Sequence, residues 1–167
     1  MQSFIITAIG SDRPGIVSEM TSLITNNGGN VEESRMSKMG SDFAIIMLIR
    51  VLGEYSDSLE VALNSLDDLE ISIKETEKHE RFNNQYKISL NGADNEGIVN
   101  VLSKFFADNS INILEMVTNI SSAPMSGTPL FNLSAYVVLP EKMKEKNVRT
   151  ELETIAQKLS VEISLDL

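Results

Sequence analysis

The sequence predicts an α+β protein made of two tandem βαββαβ modules, each an antiparallel four-stranded sheet carrying two helices on one face. Three observations predict it. Short β-branched runs alternate with amphipathic stretches in the order β-α-β-β-α-β, and that order occurs twice. A polar stretch, Glu75 to Asn84, separates the two occurrences. The residues recur as well as the pattern. Adding 82 carries Asp12 to Asp94, Gly15 to Gly97, Ile16 to Ile98, Val17 to Val99, Asn27 to Asn109, Asn30 to Asn112 and Glu33 to Glu115. Seven identities in the 22 positions 12–33 exceed what shared helix periodicity supplies, so the chain is an internal duplication.

In the first copy, Phe4 to Ile9 reads as a strand stopped by Gly10. Ile16, Met20, Leu23 and Ile24 then fall on one helix face, with Asp12 as the expected cap and Pro14 in the first turn. Asn27-Gly28-Gly29 ends that helix, because glycine accepts the left-handed conformation of a C-cap. Val31 to Met39 and Phe43 to Leu52 are two strands turned at Gly40-Ser41-Asp42. Ser56 is the expected cap of a second helix with Leu59, Leu63 and Leu66 inward, and Glu70 to Lys74 alternates as a last strand with one wet face. The second copy repeats the series: strand Tyr86 to Leu90, a turn over Gly92 to Gly97, and a helix with Ile98, Leu102, Phe105 and Phe106 inward. Strands Ile111 to Ile120 and Leu130 to Leu139 follow, then a helix with Val148, Leu152, Ile155 and Leu159 inward, and a strand with Val161, Ile163 and Leu165. This is the split βαβ, ferredoxin-like order. The expected division is a first module over 1–76, a linker over 77–84 and a second module over 85–167. Each module is small enough to need further burial, against another module or a second chain, so a homo-oligomer is expected.

Composition removes several classes of function. There is no Cys, which excludes thiol catalysis, disulfides and Cys-ligated metals. The single histidine, His79, sits in the polar stretch and reads as a solvated linker residue, so neither a metal site nor a cofactor is expected. The net charge is −10, and both halves are acidic. Nucleic-acid binding needs clustered cations against phosphate. The nearest cluster, Lys142, Lys144, Lys146 and Arg149, is interleaved with Glu141 and Glu145 and reads as a solvated helix face. The start of the chain has no basic segment ahead of a long apolar run, and Phe43 to Ile49 is too short to cross a bilayer. A cytoplasmic protein without membrane contact is the expectation.

The chemistry concentrates in the turn between first strand and first helix. A helix start presents unpaired N–H groups and partial positive charge, which suit a carboxylate or phosphate. Gly15 and Gly97 would let a ligand approach backbone, and Arg13 would add a charge-assisted bond. Asn30 and Asn112, at the start of the next strand, can offer an amide near the same helix face. The same residues also have purely structural uses: Asp12 and Asp94 as caps, Arg13 as a solvated charge, the asparagines as helix terminators.

Asp12-Arg13-Pro14-Gly15-Ile16-Val17, followed by Gly29-Asn30-Val31, resembles an ACT domain, a regulatory module that binds amino acids. The two-copy architecture, together with Gly127-Thr128-Pro129-Leu130-Phe131, resembles the glycine cleavage system transcriptional repressor family. The resemblance implies a non-catalytic protein, controlled by an amino acid such as glycine, that acts on a LysR-type transcriptional activator protein rather than on DNA. It implies a ligand between the strand–helix turn and the start of the second strand, often where two modules meet. Carried over, that points to Asp12, Arg13, Gly15, Ile16 and Asn30, and to Asp94, Asn95, Gly97, Ile98 and Asn112. The second copy departs at Asn95-Glu96, where an acid near the positive helix end opposes a bound carboxylate. Two unequal sites are expected, the first the better.

Other classes fare worse. No Gly-rich phosphate loop marks an acylphosphatase-like enzyme, and aromatics at 5% do not furnish the stacking face of an RNA-recognition module. The acid pairs Glu32-Glu33 and Asp67-Asp68 lack His or metal partners. The stronger alternative is a ligand-free scaffold or protein-interaction module. The second copy carries about six extra residues in its hairpin connection, and Met125 there suggests a partner-contact or lid role for residues 122–129.

Overall fold

The computed structural model describes residues 1–77, 84–123 and 126–166. The chain divides into two compact units, Met1–Glu80 and Arg81–Leu167. His79 and Met125 lie outside the described residues.

The first unit runs β1 (Gln2–Ser11), α1 (Ile16–Asn26), β2 (Asn30–Met39), β3 (Asp42–Val51), α2 (Ser56–Leu63) and β4 (Leu69–Thr76). The second repeats it as β5 (Gln85–Ala93), α3 (Ile98–Asp108), β6 (Asn112–Ser122), β7 (Pro129–Val138), α4 (Glu145–Leu159) and β8 (Val161–Asp166). Each forms one four-stranded antiparallel sheet, ordered β2-β3-β1-β4 and β6-β7-β5-β8. This is the tandem ferredoxin-like fold that the element order predicts.

Strand alternation places one face of each sheet in a core. In β1 and β3, Ile6, Ala8, Ile45, Met47, Ile49 and Val51 are buried against Ile16, Met20 and Ile24 of α1 and Leu59 and Leu63 of α2. The second core repeats this with Ile88, Leu90, Leu133, Ala135 and Val137 under Ile98, Leu102, Phe105, Phe106, Val148 and Leu152. Each fully buried aliphatic side chain contributes about 1.5–3 kcal/mol of transfer free energy. The helix stripes read from spacing are therefore the core stripes, with Leu23, Ile155 and Leu159 only partly buried at their margins and Leu66, also partly buried, lying beyond the end of α2.

The duplication extends to irregularities. The β2–β3 register shifts between Val31 and Glu33, and the β6–β7 register shifts between Ile113 and Glu115, 82 positions on. Both first helices end alike. Gly29 N–H donates to Ile24 O at 2.8 Å and Gly28 N–H to Thr25 O at 3.0 Å; Ile111 and Ser110 donate to Phe106 and Ala107 at 2.8 and 3.1 Å. These are Schellman closures. Asn27 and Asn109 terminate the helices directly, their Nδ2 atoms donating to Leu23 O and Phe105 O.

Several local expectations are corrected. Asp12 does not cap α1: the N-cap is Gly15 at φ 95°, with no side-chain cap, and Pro14 stands in the turn before it rather than in the first helical turn. Likewise Gly97, at φ 83°, precedes α3, which removes Asp94 from the cap position. Ser56 is the first residue of α2 rather than its cap, because the short 3₁₀ turn Gly53–Tyr55 leads in and the Ser56 hydroxyl donates to Gly53 O at 2.8 Å. Gly10 does not stop its strand and Gly92 does not open the turn; they lie inside β1 and β5, paired on both sides.

Candidate functional site

β1 delivers the chain to the rim of the sheet, and the αL conformation at Gly15 turns it into α1. The reversal leaves an open cleft of about 550 Å³, lined by Asp12, Arg13, Gly15, Ile16, Val17, Ser18, Thr21 and Phe43. The first turn of α1 forms part of its wall, and the N–H groups there have no partner inside the helix. An added Cβ at Gly15 or Gly97 would meet nothing within 4 Å. Backbone conformation therefore demands these glycines, and the space in front of them is free.

The charged residues around the turn are mutually engaged. Asp12 Oδ2 accepts from Lys38 Nζ at 2.7 Å, and Asp12 N–H donates to Ser41 O at 3.2 Å, tying the turn to the β2–β3 hairpin. Arg13 donates through Nε to Asp68 and through Nη2 to Glu19 Oε2, the latter at 2.6 Å. The Asp68 hydrogen bond, then that of Glu19, pushes the guanidinium still further above its ordinary range. The same Arg13 hydrogen bond holds the Asp68 carboxyl below the usual carboxylate range. Arg13 thus already carries two carboxylates, and its charge is not held in reserve for a ligand.

In the second module, Asn95 takes the position of Arg13. Its Nδ2 donates to Leu159 O at 3.2 Å, while Asp94 N–H donates to Pro129 O at 3.3 Å. Residues 13 and 95 do equivalent mechanical work. Each ties the first turn to the chain that enters the last strand.

Asn30 and Asn112 lie elsewhere. Asn30 pairs with Arg50, which pairs with Ser3, whereas the turn follows Ser11 at the other end of β1. Eight residues of strand at ~3.4 Å each put these ends about 27 Å apart along the sheet. Asn112, paired with Val138 opposite Gln85, repeats the placement. Within one module the structure brings Asp12, Arg13, Gly15 and Ile16 together and leaves Asn30 at the far end of α1. Sequence reasoning missed Glu19, Lys38, Phe43 and Asp68, which reach the turn from four other points in the chain. Glu19 alone had a local signal, as an acid in the first helical turn.

The sequence pattern of the ACT domain matches residues 2–74. A UPF0237 protein of Methanococcus maripaludis is 38% identical over 82 residues, covering 48% of this chain and 90% of that one. The chain belongs to the ACT domain family. Its two ACT modules together are similar to the glycine cleavage system transcriptional repressor of Escherichia coli, at 24% identity over 98% of this chain and 88% of that one. Among solved structures, an unknown protein from Galdieria sulphuraria superposes with a TM-score of 0.86 at 32% identity, covering 99% and 97% of the two chains. A structure ascribed to a glycine cleavage system transcriptional repressor superposes at 0.72 with 26% identity, covering 99% and 96%. No helix among the described residues is long and apolar enough to cross a membrane.

Proposed function

We propose that this tandem ACT protein is a non-catalytic regulator that binds an amino acid, such as glycine, and controls transcription through a protein partner, an activator, without touching DNA. The observation that carries the reading is the open cleft before α1, whose lining brings the first-turn residues Ile16, Val17 and Ser18 together with Asp12. An amino acid is a zwitterion. Its carboxylate matches the helix start, and its ammonium would take the place of Lys38 Nζ against the Asp12 carboxylate. Asp12, Arg13, Gly15 and Ile16 form this site, and Asp94, Asn95, Gly97 and Ile98 form a weaker counterpart. Asn30 and Asn112 take part only where a further module brings its own strand start to the turn, which a homo-oligomer supplies. Similarity to a named transcriptional repressor supports the regulatory role, and the net charge of −10 argues against a phosphate backbone as target.

One observation favours a second reading, a ligand-free protein-interaction module: Arg13 is already paired with Asp68 and Glu19. A thermal-shift screen across the amino acids separates the two. A ligand at 100 times its dissociation constant stabilises by about 2.7 kcal/mol. A shift with glycine or another amino acid supports the effector reading, and silence across the panel supports the interaction module. Turnover of any substrate would overturn both.

A further inference from the structure

The two copies treat the acid at the start of their turns differently. Asp12 lines the cleft before α1, and its Oδ2 accepts from Lys38 Nζ at 2.7 Å. Lys38 is the penultimate residue of β2 and lies opposite Phe43, which lines the same cleft. Arg13, the other cation at this turn, is taken up by Asp68 and Glu19. Lys38 is therefore the cation that answers the Asp12 charge. In the second module the residue 82 positions on is Ile120, 62% exposed and opposite Phe131 in the same register. Among the described residues Asp94 pairs with no cation, and the neutral Asn95 beside it donates to Leu159 O. One copy of the module covers its acid with a lysine, and the other leaves the equivalent acid uncovered.

We propose that Lys38 is a built-in competitor for the ammonium group of the effector, so that the first cleft blocks itself and the second does not. The inference rests on the amino-acid effector reading given above. A lysine head and the ammonium of an amino acid are the same chemical group, a cation with three donors and no acceptor. Both seek the Asp12 carboxylate, so an entering amino acid gains only the difference between its own contact and the one it displaces. A ligand whose competent state is fractionally populated binds with its affinity reduced by that fraction. The Asp12–Lys38 pair is exposed, so the block is a weak one that an effector can lift. Lifting it has an output. Lys38 ties the end of β2 to the turn, and displacement frees its charge beside Met39, 70% exposed at the hairpin tip. Occupancy of the first cleft thus changes the charge shown at the β2–β3 hairpin. Ile120 gives the second module no such response.

The test titrates the amino-acid panel against wild type and Lys38→Met. The control is the hydroxy acid with the same side chain, which keeps the carboxylate and lacks the ammonium. Lys38→Met is expected to bind the responding amino acid about two- to fivefold more tightly, the range open to an exposed ion pair, and to gain nothing for the hydroxy acid. A second measurement uses wild type whose lysines carry carbon-13 methyl groups, which leave the charge in place. The Lys38 signal, identified by its absence from Lys38→Arg, is expected to move towards that of a free side chain as the amino acid is added. That signal decides if Lys38→Met does not fold. An amino acid that shifts the melting temperature of wild type but binds Lys38→Met no more tightly overturns the competitor and leaves the effector reading intact. A gain shared by the hydroxy acid, or an unmoved Lys38 signal, does the same. An amino acid that binds Lys38→Met alone supports the competitor, with the block complete in wild type. Silence of both proteins across the panel overturns the competitor together with the effector reading.

Discussion

Arg13 donates through Nε to Asp68 Oδ2 across 55 residues of chain, fastening the turn before α1 to the entrance of β4. The bond holds Asp68 ionised to lower pH than an ordinary aspartate. A group with a depressed folded pKa contributes stability above its unfolded value, ~3.9 for Asp, and loses it as pH falls through the folded one. Asp68→Asn should therefore lower the melting temperature at neutral pH and leave it nearly unchanged at acid pH. The measurement is the difference between wild-type and variant melting temperatures from neutrality down to acid. Both groups are solvent-exposed, so the difference will be small, and a gap that widens towards acid would refute the pairing.

Gly10 makes the same fastening from the other side. A Cβ there would collide with the Asp68 carbonyl and stand 2.7 Å from Leu69 Cδ2, and at Gly92 it would stand 2.8 Å from Val161 Cβ. These are equivalent places, where the last strand enters beside the first. Gly10→Ala and Gly92→Ala should each destabilise by about 1–3 kcal/mol, the cost of forcing a methyl group into a packed site. Chemical denaturation of the two variants checks this, and a near-neutral result at either would mean that the last strand yields locally.

What the sequence alone revealed and what it hid divide along one physical line. Helix stripes such as Ile16-Met20-Ile24 and Ile98-Leu102-Phe106 were legible because a 3.6-residue period is local. Caps were not: Asp12 has cap chemistry, but a residue at φ 95° must precede Ile16, and only glycine takes that conformation at little cost. The Asp12 carboxylate is free to reach Lys38, 26 positions away, a pairing without any period to reveal it. Asp68 was visible as half of an acid pair and looked idle, since its partner lies on another element. The antiparallel register, not the spacing, removes Asn30 from the turn.

Ser110 marks a difference between the copies that stability measurements can read. It sits at φ 54° where the first copy has Gly28 at φ 70°, and both close the same Schellman turn. A left-handed conformation costs a side-chain-bearing residue roughly 1–2 kcal/mol, while glycine loses more chain entropy on folding, by roughly 0.5–1 kcal/mol. Ser110→Gly should stabilise by about 0.5 kcal/mol, and Gly28→Ala should destabilise by more, because its Cβ would also approach Tyr55 Cδ2 at 3.3 Å. Midpoints of urea unfolding at constant slope report both values.

The two turns should respond differently to losing their tethers. Arg13→Ala leaves Asp68 and Glu19 without their shared cation beside the cleft, so an entering carboxylate meets uncompensated negative charge. Asn95→Ala removes a neutral amide from Leu159 O and changes no charge. If the first module holds the better amino-acid site, Arg13→Ala weakens effector binding severalfold in calorimetry while Asn95→Ala leaves it close to wild type. Salt distinguishes this from a merely loosened turn. Exposed charges about 10 Å apart are largely screened at 0.1 M ionic strength, so the loss in Arg13→Ala should shrink as salt rises, whereas a mechanical defect would persist. Equal weakening by both substitutions would mean that the two turns bind alike and that the duplication has kept two equivalent sites.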